Sequence, residues 1–372
     1  MASELISIVV PTLNEAESIP LLVPRVAQAM DGRKWEMLIV DDNSKDATPQ
    51  VCEELAKQYP ITLLVREKPT HGLSGAVLHG FDHARGDVLV VMDADLQHPP
   101  EKVPDLVDVV RQGKGDFALG SRYESGGSME QSWGMFRKIN SYVATGLAKP
   151  FSGGVKDPMS GFFALSRATF DKAQRLSPLG YKIALELMCK CRVKHVCEVP
   201  IHFGLRLKGQ SKLSMKQQFH YLQHLSRLYD FTFPRASPIF KFAVVLGFGF
   251  IVAMLGFWGM WRGSVDIVRA SAIAYLAHVA VTAIFHARYI ITQRAFLVSR
   301  RPWGDFLLIA VLELASVTAT AYWLVWRLQD PGALEVFYIS FLVGTVVRYV
   351  LRKELLQDVR GLRREPGADE MK

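Results

Sequence analysis

From Pro238 onward the chain carries four long apolar stretches, Ile239 to Trp261, Ile267 to Phe285, Phe306 to Trp326 and Leu334 to Val350. Each approaches the roughly 20 residues that a helix needs to cross a bilayer, and they show little polar face to turn toward water. A chain built this way is expected to end in an all-α transmembrane domain of four helices. Arg269, His278 and Arg348 interrupt the second and fourth stretches, and Glu313, His278 and His286 are polar residues at membrane depth, where such groups need a partner or a cavity. Arg288, Arg294, Arg300 and Arg301 lie between the second and third stretches, and Arg352, Lys353, Arg360, Arg363 and Arg364 follow the fourth. The other two connections are short and nearly bare. Positive-inside logic puts the N-terminal part, the middle loop and the tail on the cytoplasmic side of a multi-pass integral membrane protein, in the plasma membrane of a prokaryote or the endoplasmic reticulum of a eukaryote. No signal peptide precedes Ser7, which agrees. The net charge of +8 fits anionic headgroups, and with no nucleic-acid motif present, nucleic acid is not an expected partner.

The first part of the chain alternates strand-like and helix-like segments. Ile6 to Val10 ends at Pro11 and releases Thr12, Leu13, Asn14 and Glu15; Met37 to Val40 releases Asp41, Asp42, Asn43 and Ser44; Ile61 to Val65 is followed by Lys68, His71 and Gly72. Thr48 with Pro49 opens a helix as N-cap and first residue, and Gly75 and Gly80 permit close packing of the next one. This is the pattern of an α/β doubly wound, mostly parallel sheet flanked by helices, whose ligands bind beyond the carboxyl ends of the strands. A nicotinamide site is excluded by the lack of G-x-G-x-x-G after the first strand, and no Walker loop occurs.

The fourth segment, Val88 to Glu101, reads VLVVMDADLQHPPE. Its apolar run suits a strand buried on both faces. Alternation along an extended chain would point Asp93 and Asp95 to the same side, with small Ala94 leaving room between them. Two carboxylates make a hard-oxygen site suited to Mg2+ or Mn2+ shared with substrate phosphates. Asp-x-Asp alone also fits a solvated turn; the polar clusters at the ends of the neighbouring strands favour a site. The four cysteines give no disulfide framework. Cys189, Cys191, His195 and Cys197 match no usual zinc spacing and read as reduced packing residues.

Pro11-Thr12-Leu13-Asn14-Glu15, Asp41 to Thr48 and Asp93 to Glu101 resemble the three signatures of inverting, family 2 glycosyltransferases with the GT-A fold. Gly120-Ser121-Arg122-Tyr123, Arg137-Lys138, Asp157 to Phe162 and Gly209 to Leu213 resemble the dolichol-phosphate mannose synthase branch, and the four apolar stretches resemble a GtrA-type membrane domain. The resemblance implies that Pro11, Asn14, Glu15 and Asp42 surround the nucleoside of a nucleotide sugar. Asp93, Asp95 and Gln97 would hold the metal and the diphosphate, with Ala94 beside them. Asp95, Arg122 and Arg137 would form the catalytic set.

Transfer to a polyprenyl phosphate requires no general base, because a phosphate monoester with a second pKa near about 6 is already nucleophilic at neutral pH. What it requires is cations, since donor diphosphate and acceptor phosphate repel each other. Arg122, Arg137, Lys138 and Ser141 are assigned to the acceptor phosphate. Arg206 and Lys212, with Lys208 and Ser211 between glycines, are assigned to a lid over the nucleotide sugar. Asp157 fits either an acceptor contact or a turn. Ser214 to Asp230, with Met215, Phe219, Leu222, Leu225 and Tyr229 on one side and His224 on the other, reads as an interfacial helix. The expected division is 1–213 catalytic, 214–235 linker helix, 236–353 membrane domain and 354–372 basic tail.

The expected reaction is transfer of mannose from GDP-mannose to a dolichyl-type polyprenyl phosphate. Glucose from UDP-glucose is the nearest alternative, and a flippase or scaffold that only binds nucleotide sugar is the alternative from another class. A processive polysaccharide synthase is disfavoured by the lack of Gln-x-x-Arg-Trp.

Overall fold

The computed structural model describes residues 5–129, 135–174, 176–177, 179, 182–204, 215–234, 236–285, 302–328 and 331–351. The chain separates into two units, Met1–Thr232 and Phe233–Lys372.

The first unit opens with β1 (Ile6–Thr12), α1 (Ile19–Ala29), β2 (Trp35–Asp41), α2 (Thr48–Leu55), β3 (Ile61–Val65), α3 (Gly72–His83), β4 (Val88–Val91) and α4 (Val103–Arg111). It continues through β5 (Phe117–Ser121), β6 (Ser128–Met129), α5 (Met135–Ala148), β7 (Phe163–Ser166), the single turn α6 (Arg167–Phe170), α7 (Ile183–Lys190), β8 (Val196–Pro200), β9 (His202–Phe203) and α8 (Met215–Thr232). Among the described residues one seven-stranded sheet forms, in the order β3-β2-β1-β4-β7-β5-β8. The pairings β1 with β2, β1 with β4, β2 with β3 and β5 with β8 are parallel, whereas β7 runs antiparallel to both β4 and β5. The mostly parallel sheet of the sequence reading is therefore present, with one reversed strand.

Period-two alternation divides the strand side chains between two cores. Ile6, Ile8, Val10, Val88 and Val90 join α1 and α4 on one face, while Val9, Leu89 and Val91 join α3 and α7 on the other. All four residues of β4 are buried, as a strand covered on both sides requires. Helix α3 can lie tight on the sheet because Gly80 has no side chain; a Cβ there would stand 2.4 Å from Val9 Cγ1. The capping of α2 differs from the sequence reading. Asp46, not Thr48, accepts from the first turn, taking Thr48 N–H at 3.0 Å, while the Thr48 hydroxyl accepts the Glu15 N–H at 2.9 Å.

Helix α8 also differs. The break after Thr232 lies beyond the expected boundary at residue 213, and α8 belongs to the first unit. Its buried stripe is Tyr221, Leu225 and Leu228. Leu222, expected on the apolar side, is exposed, and His224, expected on the polar side, is buried. The Tyr221 hydroxyl donates to Ala144 O at 2.7 Å. His224 Nε2 stands 3.3 Å from Glu186 Oε2, whose other oxygen accepts from Lys190 Nζ at 2.6 Å. The helix spends its apolar side on the catalytic core because that core offers both matching surface and a buried carboxylate.

The second unit holds α9 (Ala236–Arg262), α10 (Ile267–Phe285), α11 (Pro302–Arg327) and α12 (Ala333–Val350). All four are long and apolar enough to cross a membrane. Inside them Glu313 accepts from Arg348 Nε at 2.6 Å and from the Tyr275 hydroxyl at 3.3 Å, and Arg348 Nη1 lies 3.5 Å from His278 Nε2. Tyr275, Glu313, Arg348 and His278 thus meet across α10, α11 and α12. Small residues make the approach feasible: a Cβ on Gly249 would meet His278 Nδ1 at 2.3 Å, and one on Gly344 would meet Tyr275 Oη at 2.8 Å. His286 lies outside the described residues.

Candidate active site

At the carboxyl edge the loops after β1 and β2 are sewn together. Asn14 N–H donates to Ser44 Oγ at 2.7 Å, Asn14 Oδ1 accepts Lys45 N–H at 2.8 Å, and Ala16 N–H donates to Asp46 Oδ2 at 3.2 Å. Asn14 and Asn43 adopt positive φ, 58° and 61°, a conformation that asparagine tolerates better than most residues. Glu15 accepts from Ser18 Oγ at 2.8 Å. Of the residues assigned to the nucleoside, Asn14 and Glu15 therefore build the seam between the two loops, and Pro11 lies inside β1, one residue before its end. Asp42 accepts from Arg66 Nε at 2.7 Å, and Arg66 also reaches Thr70 O and Gly72 O, each at 3.2 Å. Arg66 was not singled out from the sequence. Its position just after β3 was the available signal.

Beyond β4 the geometry departs from the extended-strand expectation. The strand stops at Val91, residues 94 and 95 lie in a turn, and Leu96 takes φ 61°. The turn, rather than strand alternation, disposes the two carboxylates. Asp95 is only 4% exposed, whereas the Asp93 side chain is 34% exposed, and Ala94 is buried. Asp95 Oδ1 accepts Gln97 N–H at 3.1 Å, and Gln97 Nε2 donates to Gly204 O at 3.2 Å, which turns the amide nitrogen toward the 204 backbone. Two carboxylates and an amide oxygen are hard donors. They fit a magnesium-like ion that takes its remaining ligands from phosphates and water. Among the described residues no group of three or more His, Cys, Asp or Glu could hold a metal without such help.

His98 steadies Asp93. Its Nδ1 accepts the Asp93 N–H at 3.1 Å, and its ring stacks on Phe162 at 5.1 Å with Phe203 edge-on at 5.5 Å. The Arg122 guanidinium lies over the Phe203 ring, 5.2 Å from its centre.

The reversed strand β7 brings the next elements in. Phe163, its first residue, pairs with Val91, the last of β4, so the loop entering β7 stands at the same edge as the loop leaving β4. Gly161 of that loop is so placed that a Cβ would lie 3.7 Å from Asp93 Oδ2. Asp157, fully buried, accepts from Arg122 N, Nε and Nη2 at 3.1, 2.7 and 2.7 Å. Its own N–H donates to Glu198 Oε1 at 3.0 Å. Arg122 is thus half of a two-pronged ion pair with Asp157 of the loop that enters β7. Asp157 is more than a turn residue.

Lys182 was missed by sequence reasoning. It stands at the N-cap of α7 and donates from Nζ to Met159 O at 2.6 Å. Burial and the repulsion of Arg122 push its pKa down to about 8, against the opposing pull of Asp157 and Asp93. Nothing near it in sequence marks it; only the reversed strand delivers the loop it binds. Arg137, Lys138 and Ser141 fall on α5, and their side chains lie outside the described residues, as do Arg206 and Lys212.

A seven-stranded, mostly parallel sheet with paired aspartates in the turn after its central strand is the architecture of a nucleotide-sugar transferase, and residues 7–173 match the model of glycosyl transferase family 2. The chain belongs to that family. Within it, a dolichol-phosphate mannosyltransferase of Pyrococcus furiosus is 37% identical over 361 residues, covering 94% of this chain and 98% of that one. A dolichol-phosphate mannosyltransferase of Saccharomyces cerevisiae is 40% identical over 61% of this chain and 88% of its own length. An undecaprenyl-phosphate 4-deoxy-4-formamido-L-arabinose transferase of Edwardsiella ictaluri is 28% identical over 68% of this chain and 76% of that one. Among solved structures, that of glucosyl-3-phosphoglycerate synthase from Mycobacterium tuberculosis with Mn2+, UDP-glucose and phosphoglyceric acid overlays with TM-score 0.48 at 22% identity, over 62% of this chain and 80% of that one. That likeness is too loose to carry a residue's role across.

Proposed function

We propose that this protein is a polyprenyl-phosphate mannosyltransferase that uses GDP-mannose and inverts the anomeric centre. The observation that carries the reading is the likeness to a dolichol-phosphate mannosyltransferase across 94% of the chain, a span that must include both units. The geometry agrees with it. Asp93 stands beside the loop that enters β7, and Asp157 of that loop holds Arg122.

In this reading Asp93, Asp95 and the Gln97 oxygen hold a Mg2+ or Mn2+ ion, which when bound would neutralise the donor diphosphate and the charge that develops on the departing nucleotide. Asp42, kept in place by Arg66, and the sewn loops around Pro11, Asn14 and Glu15 receive the nucleoside. His98 fixes the backbone of Asp93. The acceptor phosphate needs no base and attacks directly; the protein's work is to hold two anions in line. Arg137, Lys138 and Ser141 on α5 remain assigned to the acceptor phosphate, and Arg206 and Lys212 to closure over the donor. The catalytic unit and the tail face the cytoplasm, and the apolar helices anchor the chain in the membrane that holds a polyprenyl phosphate.

The deciding experiment is a thermal melt of the detergent-solubilised protein with Mn2+ and either GDP or UDP, because a ligand that binds the folded state raises the melting temperature in step with its affinity. A larger shift with GDP, together with mannosyl transfer to an isoprenyl phosphate, is the expected result. A clear preference for UDP would replace this reading with a glucosyltransferase.

A further inference from the structure

Helix α3 carries two histidines, His79 and His83, four residues apart. Side chains at that spacing stand one above the other on a single helix face. It is not the face that meets the sheet: Ala76, Val77, Gly80 and Phe81 are buried, whereas His79 is half-buried and His83 is exposed. Gly75 begins the same stripe one turn earlier, against Arg66, so the stripe runs from the Arg66–Asp42 pair to the end of the helix.

The two rings meet. Their centres are 4.4 Å apart and their planes are inclined at 50°. Two imidazole nitrogens that share one ion at about 2.1 Å and about 90° would hold their ring centres about 4.5 Å apart, since a ring centre lies about 1.1 Å behind its nitrogen. The tautomer of His83 also fits. Its Nδ1 lies 2.8 Å from the carbonyl oxygen of His79, and because a carbonyl only accepts, Nδ1 carries the proton and Nε2 keeps the lone pair.

We propose that His79 and His83 form a binding site for a borderline divalent transition ion, of the class of Cu2+, Ni2+ or Zn2+, with water completing the coordination. The site is separate from the carboxylates Asp93 and Asp95 and does not depend on the transfer reaction. Imidazole nitrogens favour these ions, whereas carboxylates suit Mg2+ and Mn2+. Burial, His83 and Arg66 lower the His79 pKa, which keeps the ring neutral and its lone pair available. Asp82 and Asp42 draw a cation to the pair, and Arg66 opposes it. Spacing alone would not make such a site. His220 and His224 are also four residues apart, but His224 is buried against Glu186.

The test uses the full-length protein in detergent, without a polyhistidine tag and with Mg2+ in large excess to occupy the carboxylate site. In competition with a chromogenic chelator, the wild type should take up one tightly held Ni2+ per chain. His79→Gln and His83→Gln should each weaken that uptake by about 10-fold or more, because losing one of two linked ligands removes the advantage of simultaneous binding. With one equivalent of Cu2+, the electron paramagnetic resonance spectrum should show two imidazole nitrogens in the wild type and one in either variant. Melting curves without metal check that both variants are folded. No Ni2+ uptake by the wild type, equal affinity in all three proteins, or a Cu2+ spectrum that neither substitution alters would each overturn the assignment.

Discussion

Arg122 and Asp157 form a buried, two-pronged ion pair at the carboxyl edge of the sheet, with both arms at 2.7 Å and the Arg122 side chain only 11% exposed. Removing one partner leaves the other without its counter-charge, which typically costs about 3 to 5 kcal/mol for buried pairs. Arg122→Ala and Asp157→Ala should therefore each lower the melting temperature as well as turnover, and the double variant should lose less stability than the sum. Melting curves of the three proteins decide it. Full additivity would show that the pair does not act as a unit.

Asp95→Ala should reduce turnover by about 1000-fold or more, the scale expected when a metal's charge stabilisation is lost, and should abolish the divalent-ion dependence of GDP binding. Asp93→Ala should follow it. Isothermal titration with and without Mn2+ provides the measurement. Normal activity at saturating donor in the Asp95 variant would remove the metal assignment.

Glu186 gives a pH dependence. Burial alone would raise its pKa, but His224, Lys190 and the Ser177 N–H outweigh that and hold it down to about 2, below the ordinary 4.5. Between about pH 4.5 and 2 the unfolded chain binds the proton that the folded chain refuses. Stability from this carboxylate is thus complete above about pH 4.5 and is lost as pH falls, by up to about 1.4 kcal/mol per pH unit. Glu186→Gln should flatten that part of the acid-stability curve. An unaltered slope in chemical denaturation across this range would show that Glu186 is not the group responsible.

Glu313 and Arg348 should behave as a pair in the membrane unit. Glu313→Gln and Arg348→Met each strand a charged partner among apolar helices and should lower the melting temperature in detergent. The double variant, which leaves no charge behind, should recover much of the loss. A double variant less stable than either single one would point to a different role for the two residues.

The sequence by itself determined the first four strands and the helices between them, the apolar spans and the polar clusters at strand ends. These depend on local periodicity and turn chemistry, which act between near neighbours in the chain. Asp93, Asp95, Asp42 and Arg122 stand out in this way as polar residues at strand ends, whereas Gln97 was singled out only through the family resemblance. Long-range pairing decided the rest. The reversed strand β7 seats Phe163 against Val91, and only that register carries Asp157, Met159 and Lys182 to the Asp93 loop. No local pattern encodes the direction of a strand far along the chain. The face that α8 buries was read only in part from its own periodicity: Leu225 and Tyr229 pack as expected, but Glu186 on α7 supplies a partner that makes burial of His224 tolerable, and Leu222 is exposed. Glu313 and Arg348 were visible as oddities in apolar stretches, but their pairing depends on three helices packed side by side, and tertiary structure alone provides that.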